Sequence, residues 1–341
     1  MKGLLVSLQL GFVVLRAVLV RIWIRIRRGP EVASWSWSVE LKMVALRSFL
    51  DAARLSPDPA ARARLENAVD PPLPRRLRGV LRVTHTFLAG MEAEKHELIG
   101  GGLEAHRPAT LLYLHGGGYM AGSAATHRRM IANLAWATGT EVYAPNYRLA
   151  PAHRFPAALD DAMSVYKELL SQGVDSGRLL VAGDSAGGGL AAALLLRLRD
   201  ENEPLPAGTI LFSPYADLEH TAASITENRS TDYLPSLLVG AGANTVYLGD
   251  HDPTDPYVSP IYGDFSGVTP FLVFAGGREM IRDDSVRLVD AAQRDGCDAT
   301  LQVAPDMYHV WPALLPNHPE TLRAMQLAGQ FVADRLSSPT S

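Results

Sequence analysis

The sequence predicts an α/β protein: a mostly parallel sheet with helices on both faces and a helical cap. Three observations carry that expectation. From about residue 108, apolar runs of strand length alternate with stretches of helical periodicity, the rhythm of parallel strands joined by helical crossovers. Two of the apolar runs end in glycine-rich turns, at 115–118 and 183–187. A polar, proline-containing stretch from about 217 to 265 then breaks the alternation, as an insertion over the strand ends does.

Composition agrees with a globular enzyme-sized chain. Its 341 residues are 47% hydrophobic and 20% charged, which excludes global disorder, collagen and coiled coil. The 32 basic residues are outnumbered by 36 acidic ones, so there is no basic excess for nucleic acid. Cys297 is the only cysteine. It allows no internal disulfide and no cysteine-built metal centre, and reads as a small half-buried thiol at a strand start.

Residues 1–30 stand apart, with six basic residues and no acid. Residues 3–15 are uncharged, but a bilayer crossing needs about 20 apolar residues. Extending the span to Ile24 encloses Arg16 and Arg21, which is costly in lipid. No small-residue cleavage site follows the apolar stretch, as a secretory signal would require. As a helix, Leu8, Phe12, Leu15, Leu19, Ile22 and Ile26 share one face, with Arg21, Arg25 and Arg28 opposite. That pattern suits contact of residues 1–28 with an anionic membrane surface in a cytoplasmic, peripheral protein. The alternatives are a helix packed on the rest of the chain with its arginines solvated, and a segment that is cleaved or spans fully.

Residues 31–85 read as an N-terminal helical part of the cap. Helical periodicity covers 40–55, and the proline-rich PDPA and DPPLPRR end it. The core is expected over 86–216 and 266–341, with the insertion 217–265 between. Strands are expected at 109–115, 140–147, 178–185, 208–215, 269–277 and 299–305. Helices are expected at 127–138, 157–173, 186–201, 283–296 and 322–336.

The chemistry gathers at the strand ends. Gly183-Asp184-Ser185-Ala186-Gly187 fits G-x-S-x-G between an apolar strand and an Ala/Leu-rich helix. There a sharp turn can expose a serine Oγ at a helix N-terminus, which favours developing negative charge. A capping serine in a tight turn is the alternative reading. His115-Gly116-Gly117-Gly118 ends another strand, and successive glycines let backbone N–H groups point at one anion. A serine nucleophile needs a base and an acid that orients it. His309 follows the last expected strand. The loop after the preceding strand offers Glu279, nearest the strand end, or Asp283 and Asp284, which also suit the start of a helix. No dinucleotide fingerprint, HExxH or metal-ligand spacing is present, so no cofactor and no metal are expected.

With these motifs in hand, the sequence resembles the hormone-sensitive-lipase-like family of α/β-hydrolases, bacterial esterases with an HGGG box and a GDSAG box. The matching stretches are LLYLHGGGYMAGS (111–123), YRLAPAHRFPAALDDA (147–162), VAGDSAGGGLA (181–191) and PDMYHVW (305–311). The resemblance runs from about residue 90 to 336. It implies an α/β-hydrolase fold with Ser185 as nucleophile, His309 as base, and the N–H groups of Gly117, Gly118 and Ala186 as oxyanion hole. Glu279 stands where the family usually has Asp, Ala152 where it commonly has Glu, and Asp306 where Gly is usual. The resemblance also implies a cap formed by the N-terminal segment and the insertion. The expected activity is hydrolysis of small apolar esters of short-to-medium acyl length. A lactone or amide hydrolase would use the same residues, and a non-catalytic binding protein would use the same scaffold. Tyr119, Met120, Tyr215, Leu234, Leu237 and Leu238 are candidate acyl contacts by position alone.

Overall fold

The computed structural model describes residues 2–54, 72–100, 107–233 and 243–337. Eight strands form one sheet: β1 (Leu81–Leu88), β2 (Met91–Leu98), β3 (Thr110–Leu114), β4 (Glu141–Pro145), β5 (Leu179–Asp184), β6 (Gly208–Phe212), β7 (Phe271–Gly276) and β8 (Ala299–Ala304). Their order is β1-β2-β4-β3-β5-β6-β7-β8, antiparallel at β1/β2 and β2/β4 and parallel from β4 to β8. Every residue of β3, β5, β6 and β7 is buried. This is why those strands are continuous apolar runs rather than alternating ones: both faces are covered.

Helices Ala124–Thr138 and Pro319–Ser337 pack together over one face. Helices Ala157–Ser171, Ala186–Asp200 and Arg282–Arg294 lie against the other side of the sheet or its neighbours. Ser123 caps the first of these helices reciprocally with Thr126, and Gly139 closes it in the left-handed conformation at φ +70°. Phe212 and Phe274 stack at 5.0 Å between neighbouring strands in the core. Cys297 is buried, with its thiol near the carbonyls of Val268 and Thr269.

The N-terminal part differs from expectation. The hairpin β1–β2 begins at Leu81, so residues 31–85 are not wholly helical and the core starts before residue 86. Strand β1, LRVTHTFL, keeps polar residues because it lies at a sheet edge, whereas β2, MEAEKHEL, is internal and buries the polar Glu94 and His96. The PDPA break lies outside the described residues.

Helices Lys2–Arg28 and Trp37–Arg54 pack on each other. Arg21 and Arg25 both pair with the fully buried carboxylate of Glu40. These two arginines are therefore turned inward, not solvated, because Glu40 has no other way to be buried as a charge. No helix among the described residues is long and apolar enough to cross a membrane.

Candidate active site

Ser185 sits between β5 and the helix Ala186–Asp200 with φ +51° and ψ −120°, a strained conformation for a residue with a Cβ. Two backbone hydrogen bonds over-determine it: Ser185 N–H donates to Phe212 O at 2.9 Å, and Ser185 O accepts from Tyr215 N–H at 2.8 Å. Its side chain makes no capping bond. Instead Ser185 Oγ lies 2.8 Å from His309 Nε2. The capping reading of this serine is thereby corrected.

His309 follows β8 and is 2% exposed. Its Nδ1 lies 2.9 Å from Glu279 Oε2, while Glu279 Oε1 accepts Gly276 N–H at 2.9 Å. Glu279 is fully buried, so both its oxygens are fixed by partners. Among the three carboxylates left open by the sequence, the structure brings this one to the imidazole. Asp283 accepts from Ser224 N–H, and Asp284 accepts from Ala216 and Asp217 N–H, so both hold the inserted stretch. Burial, and then Asp217, pushes the Asp284 carboxyl well above the usual range.

The glycine-rich turn after β3 lies beside Ser185 because the backbones approach closely. A Cβ on Gly187 would collide with the carbonyls of Leu114 and His115. Gly117, at φ +123°, would collide with Ala121 O. Among the described residues, the N–H groups of Gly117, Gly118 and Ala186 take no hydrogen-bond partner. Successive unpaired donors beside a nucleophile can meet an oxyanion.

Sequence reasoning missed the side chains that tie the two turns together. Asp184 accepts from Tyr113 OH at 2.6 Å and from Gly116 N–H at 2.9 Å, with His127 Nε2 3.4 Å away. Burial opposes charge on both Asp184 and His127. Their mutual attraction wins, lowering the first and raising the second. His115, stacked on Tyr147 at 4.3 Å, is pushed down to about 4 by burial and by His127. The inserted stretch also reaches the site. Tyr233 OH donates to His309 O at 2.9 Å, and Asn228 Nδ2 donates to Glu279 O at 2.9 Å. Asp232 accepts from Met280 N–H at 2.7 Å, and burial lifts it to about 6. Asp184 is legible only as part of the GDSAG motif. His127, Tyr113 and Tyr233 carry no local signal, because their partners are distant in the chain.

The remaining candidates separate. Tyr119 is buried and stacks on Tyr247 at 3.9 Å, and Tyr215 is buried with its hydroxyl against His220. Both belong to the core. Met120 is half-buried against it. Leu234, Leu237 and Leu238 lie outside the described residues.

Comparison with known proteins identifies the family. An acetyl-hydrolase from Streptomyces hygroscopicus is 43% identical over 223 residues, covering 65% of this chain and 75% of that protein. An esterase from Acinetobacter venetianus is 35% identical over 247 residues, covering 72% and 79%. An ethyl acetate hydrolase from Pseudomonas putida is 34% identical over 207 residues, covering 59% and 65%. The crystal structure of an esterase from the bacterial hormone-sensitive lipase family matches with a TM-score of 0.77 at 34% identity, covering 87% of this chain and 98% of that one. Residues 111–313 match the family model described as the alpha/beta hydrolase fold. With a serine after β5, a glutamate after β7 and a histidine after β8 joined at the strand ends of such a sheet, the chain belongs to the alpha/beta-hydrolase family, in its hormone-sensitive-lipase-like group of bacterial esterases.

Proposed function

We propose that this carboxylic ester hydrolase cleaves short-to-medium acyl esters through an acyl-enzyme formed on Ser185. The observation that carries the reading is the continuous chain Ser185 Oγ–His309 Nε2 at 2.8 Å and His309 Nδ1–Glu279 Oε2 at 2.9 Å. Ser185 Oγ bonds to the ester carbonyl carbon as His309 Nε2 takes the hydroxyl proton. The carbonyl oxygen becomes an oxyanion, met by the N–H groups of Gly117, Gly118 and Ala186. Collapse expels the alkoxide, which takes the proton from His309. Water then attacks the acyl carbon as His309 Nε2 takes one of its protons; the acyl–Oγ bond breaks, Ser185 Oγ takes that proton back from His309, and the acid is released. Glu279 keeps Nδ1 protonated, so Nε2 faces the serine as acceptor.

The names of two relatives, an acetyl-hydrolase and an ethyl acetate hydrolase, support a small acyl group in this reading. The N-terminal helices and the insertion form the cap in this reading. Arg47 of the second helix donates to Ser230 O, and the insertion in turn holds His309 and Glu279. Residues 1–28 contact a membrane surface peripherally on its cytoplasmic side.

The test is the hydrolysis of p-nitrophenyl esters from acetate to palmitate by the intact protein and by Ser185→Ala. Turnover of short esters, with a loss of at least ~10³-fold in the variant, is expected. Equal rates in the two proteins would overturn the reading.

A further inference from the structure

The helix Lys2–Arg28 is turned the opposite way from an ordinary helix on a soluble protein. Its Arg21 and Arg25 face the protein, held by Glu40, and Arg25 also donates to Trp35 O at 2.8 Å. Facing out is an apolar stripe: Phe12 is 68% exposed, Leu15 56%, Leu19 56%, Trp23 54% and Ile26 71%. Their spacings of three and four residues put them on one side of the helix. Water is a poor neighbour for such a contiguous stripe.

We infer that this stripe is a docking face for an anionic lipid surface and that the His309 loop is tied to the docked helix. This rests on the peripheral placement proposed above and deepens it. The charge pattern selects the occupant. The helix holds no acidic residue, and Arg16, Arg27 and Arg28 are exposed beside or beyond the stripe. Arg27 lies 4.3 Å over the ring of Trp23, so a cation and an interfacial aromatic sit together at the edge of the apolar face. A second copy on this stripe would bring the exposed arginines of both helices together, which disfavours a dimer there. Lying in the headgroup plane satisfies both features, since the apolar side chains enter the acyl boundary and the arginines meet anionic headgroups.

The tie to the catalytic side is direct. Between the two N-terminal helices, Ser34 Oγ donates to Asp306 Oδ2 at 2.6 Å and Trp35 Nε1 donates to Asp306 O at 2.8 Å. Trp35 also meets Tyr308 edge-on at 6.0 Å, next to His309. Asp306, the residue that departs from the usual glycine, is thus the seat of the N-terminal segment. A docked helix therefore presents the His309 loop to esters carried by the same surface.

The experiment uses the full chain and Leu19→Asp/Trp23→Asp, whose altered side chains are exposed and touch none of the reacting groups. Co-sedimentation is measured with phosphatidylcholine vesicles, alone and with about 30% phosphatidylglycerol. The intact protein is expected to pellet with the anionic vesicles and not with the neutral ones, and the variant to bind at least ~10-fold less. Turnover of soluble p-nitrophenyl acetate is expected to be equal in the two. Turnover of p-nitrophenyl palmitate carried in anionic vesicles is expected to fall at least ~10-fold in the variant. Failure of the intact protein to bind, equal binding to neutral vesicles, or equal binding by the variant overturns the docking face. A dimer in vesicle-free buffer that the variant abolishes assigns the stripe to a second copy instead and equally overturns it. Equal vesicle-ester rates despite lost binding overturn the tie to His309. Vesicle binding without turnover of any ester would refute the hydrolase reading and leave the docking face standing.

Discussion

Replacing Glu279 by Gln tests the part of the site that departs from the family's usual aspartate. The carboxylate meets His309 Nδ1 at 2.9 Å from a fully buried position. When His309 takes the serine proton, a positive charge forms about 4 Å from the carboxylate's centre. At an effective dielectric of about 20 that attraction is about 4 kcal/mol. Glutamine removes it, and so raises the barrier by about three decades in rate. The amide also changes the tautomer. Its Oε1 can still accept Gly276 N–H, which leaves the amide NH₂ donating to Nδ1 and places the ring proton on Nε2. The serine then has no acceptor. Glu279→Gln is therefore expected to lower kcat for p-nitrophenyl acetate by about 10³-fold with little change in KM, because the carboxylate acts on substrate only through His309. Glu279→Asp keeps the charge but cannot reach both Gly276 N–H and His309, and is expected to lose about 10-fold. If Glu279→Gln, folded as judged by its thermal melt, stays within about 10-fold of the intact protein, the orienting role assigned to Glu279 is wrong.

Other perturbations follow from the same contacts. Asp283→Asn should leave kcat within about threefold, since its carboxylate binds Ser224 N–H rather than the imidazole; a loss like that of Glu279→Gln would move the acid to Asp283. Gly187→Ala should destabilise the protein by about 3 kcal/mol in denaturant unfolding, because its Cβ meets the carbonyls of Leu114 and His115; an unchanged midpoint would refute the close approach. The Glu94 carboxyl, which burial alone would raise, is held at about 2 by hydrogen bonds from His96 and Arg128 and by the Arg128 charge. Burial pushes the His96 imidazole below its usual range, against the pull of Glu94. A depressed folded-state value adds stability above the ordinary carboxyl range, here about 3 kcal/mol, that is lost as pH falls from about 4.5 towards 2. Glu94→Gln should flatten that part of the stability-versus-pH curve in urea unfolding, and parallel curves would refute the assignment.

Much of the sheet was legible because burial on both faces turns β3, β5, β6 and β7 into unbroken apolar runs. The hairpin β1–β2 was not, since β1 stays polar at the sheet edge and β2 buries the polar Glu94 and His96, so neither is an apolar run. Ser185 and His309 were legible because a strained turn and a late strand end leave local marks. Glu279 could be favoured by its nearness to the strand end, but only packing separates it from Asp283 and Asp284. The Asp184–His127–Tyr113 cluster joins three distant segments through one buried carboxylate, and no periodicity encodes that. The apolar stripe of the first helix could be drawn on a wheel. Which side faces the protein could not, since it depends on Glu40, which lies outside that helix.

Glu40 also decides how this enzyme can be shortened. Cutting the chain after residue 30 would strip a fully buried carboxylate of both guanidinium partners. An orphaned buried charge costs about 3–5 kcal/mol, a large share of a domain's stability. Trp35 and Ser34, which grip the loop carrying His309, lie within six residues of Glu40 in the same segment. A trimmed enzyme should therefore melt earlier and turn over soluble esters more slowly, and part of that stability should return when Glu40→Gln is added. For solubility, the better edit is on the outside of the helix, at Leu19 and Trp23, where polarity can be added without unpairing anything inside.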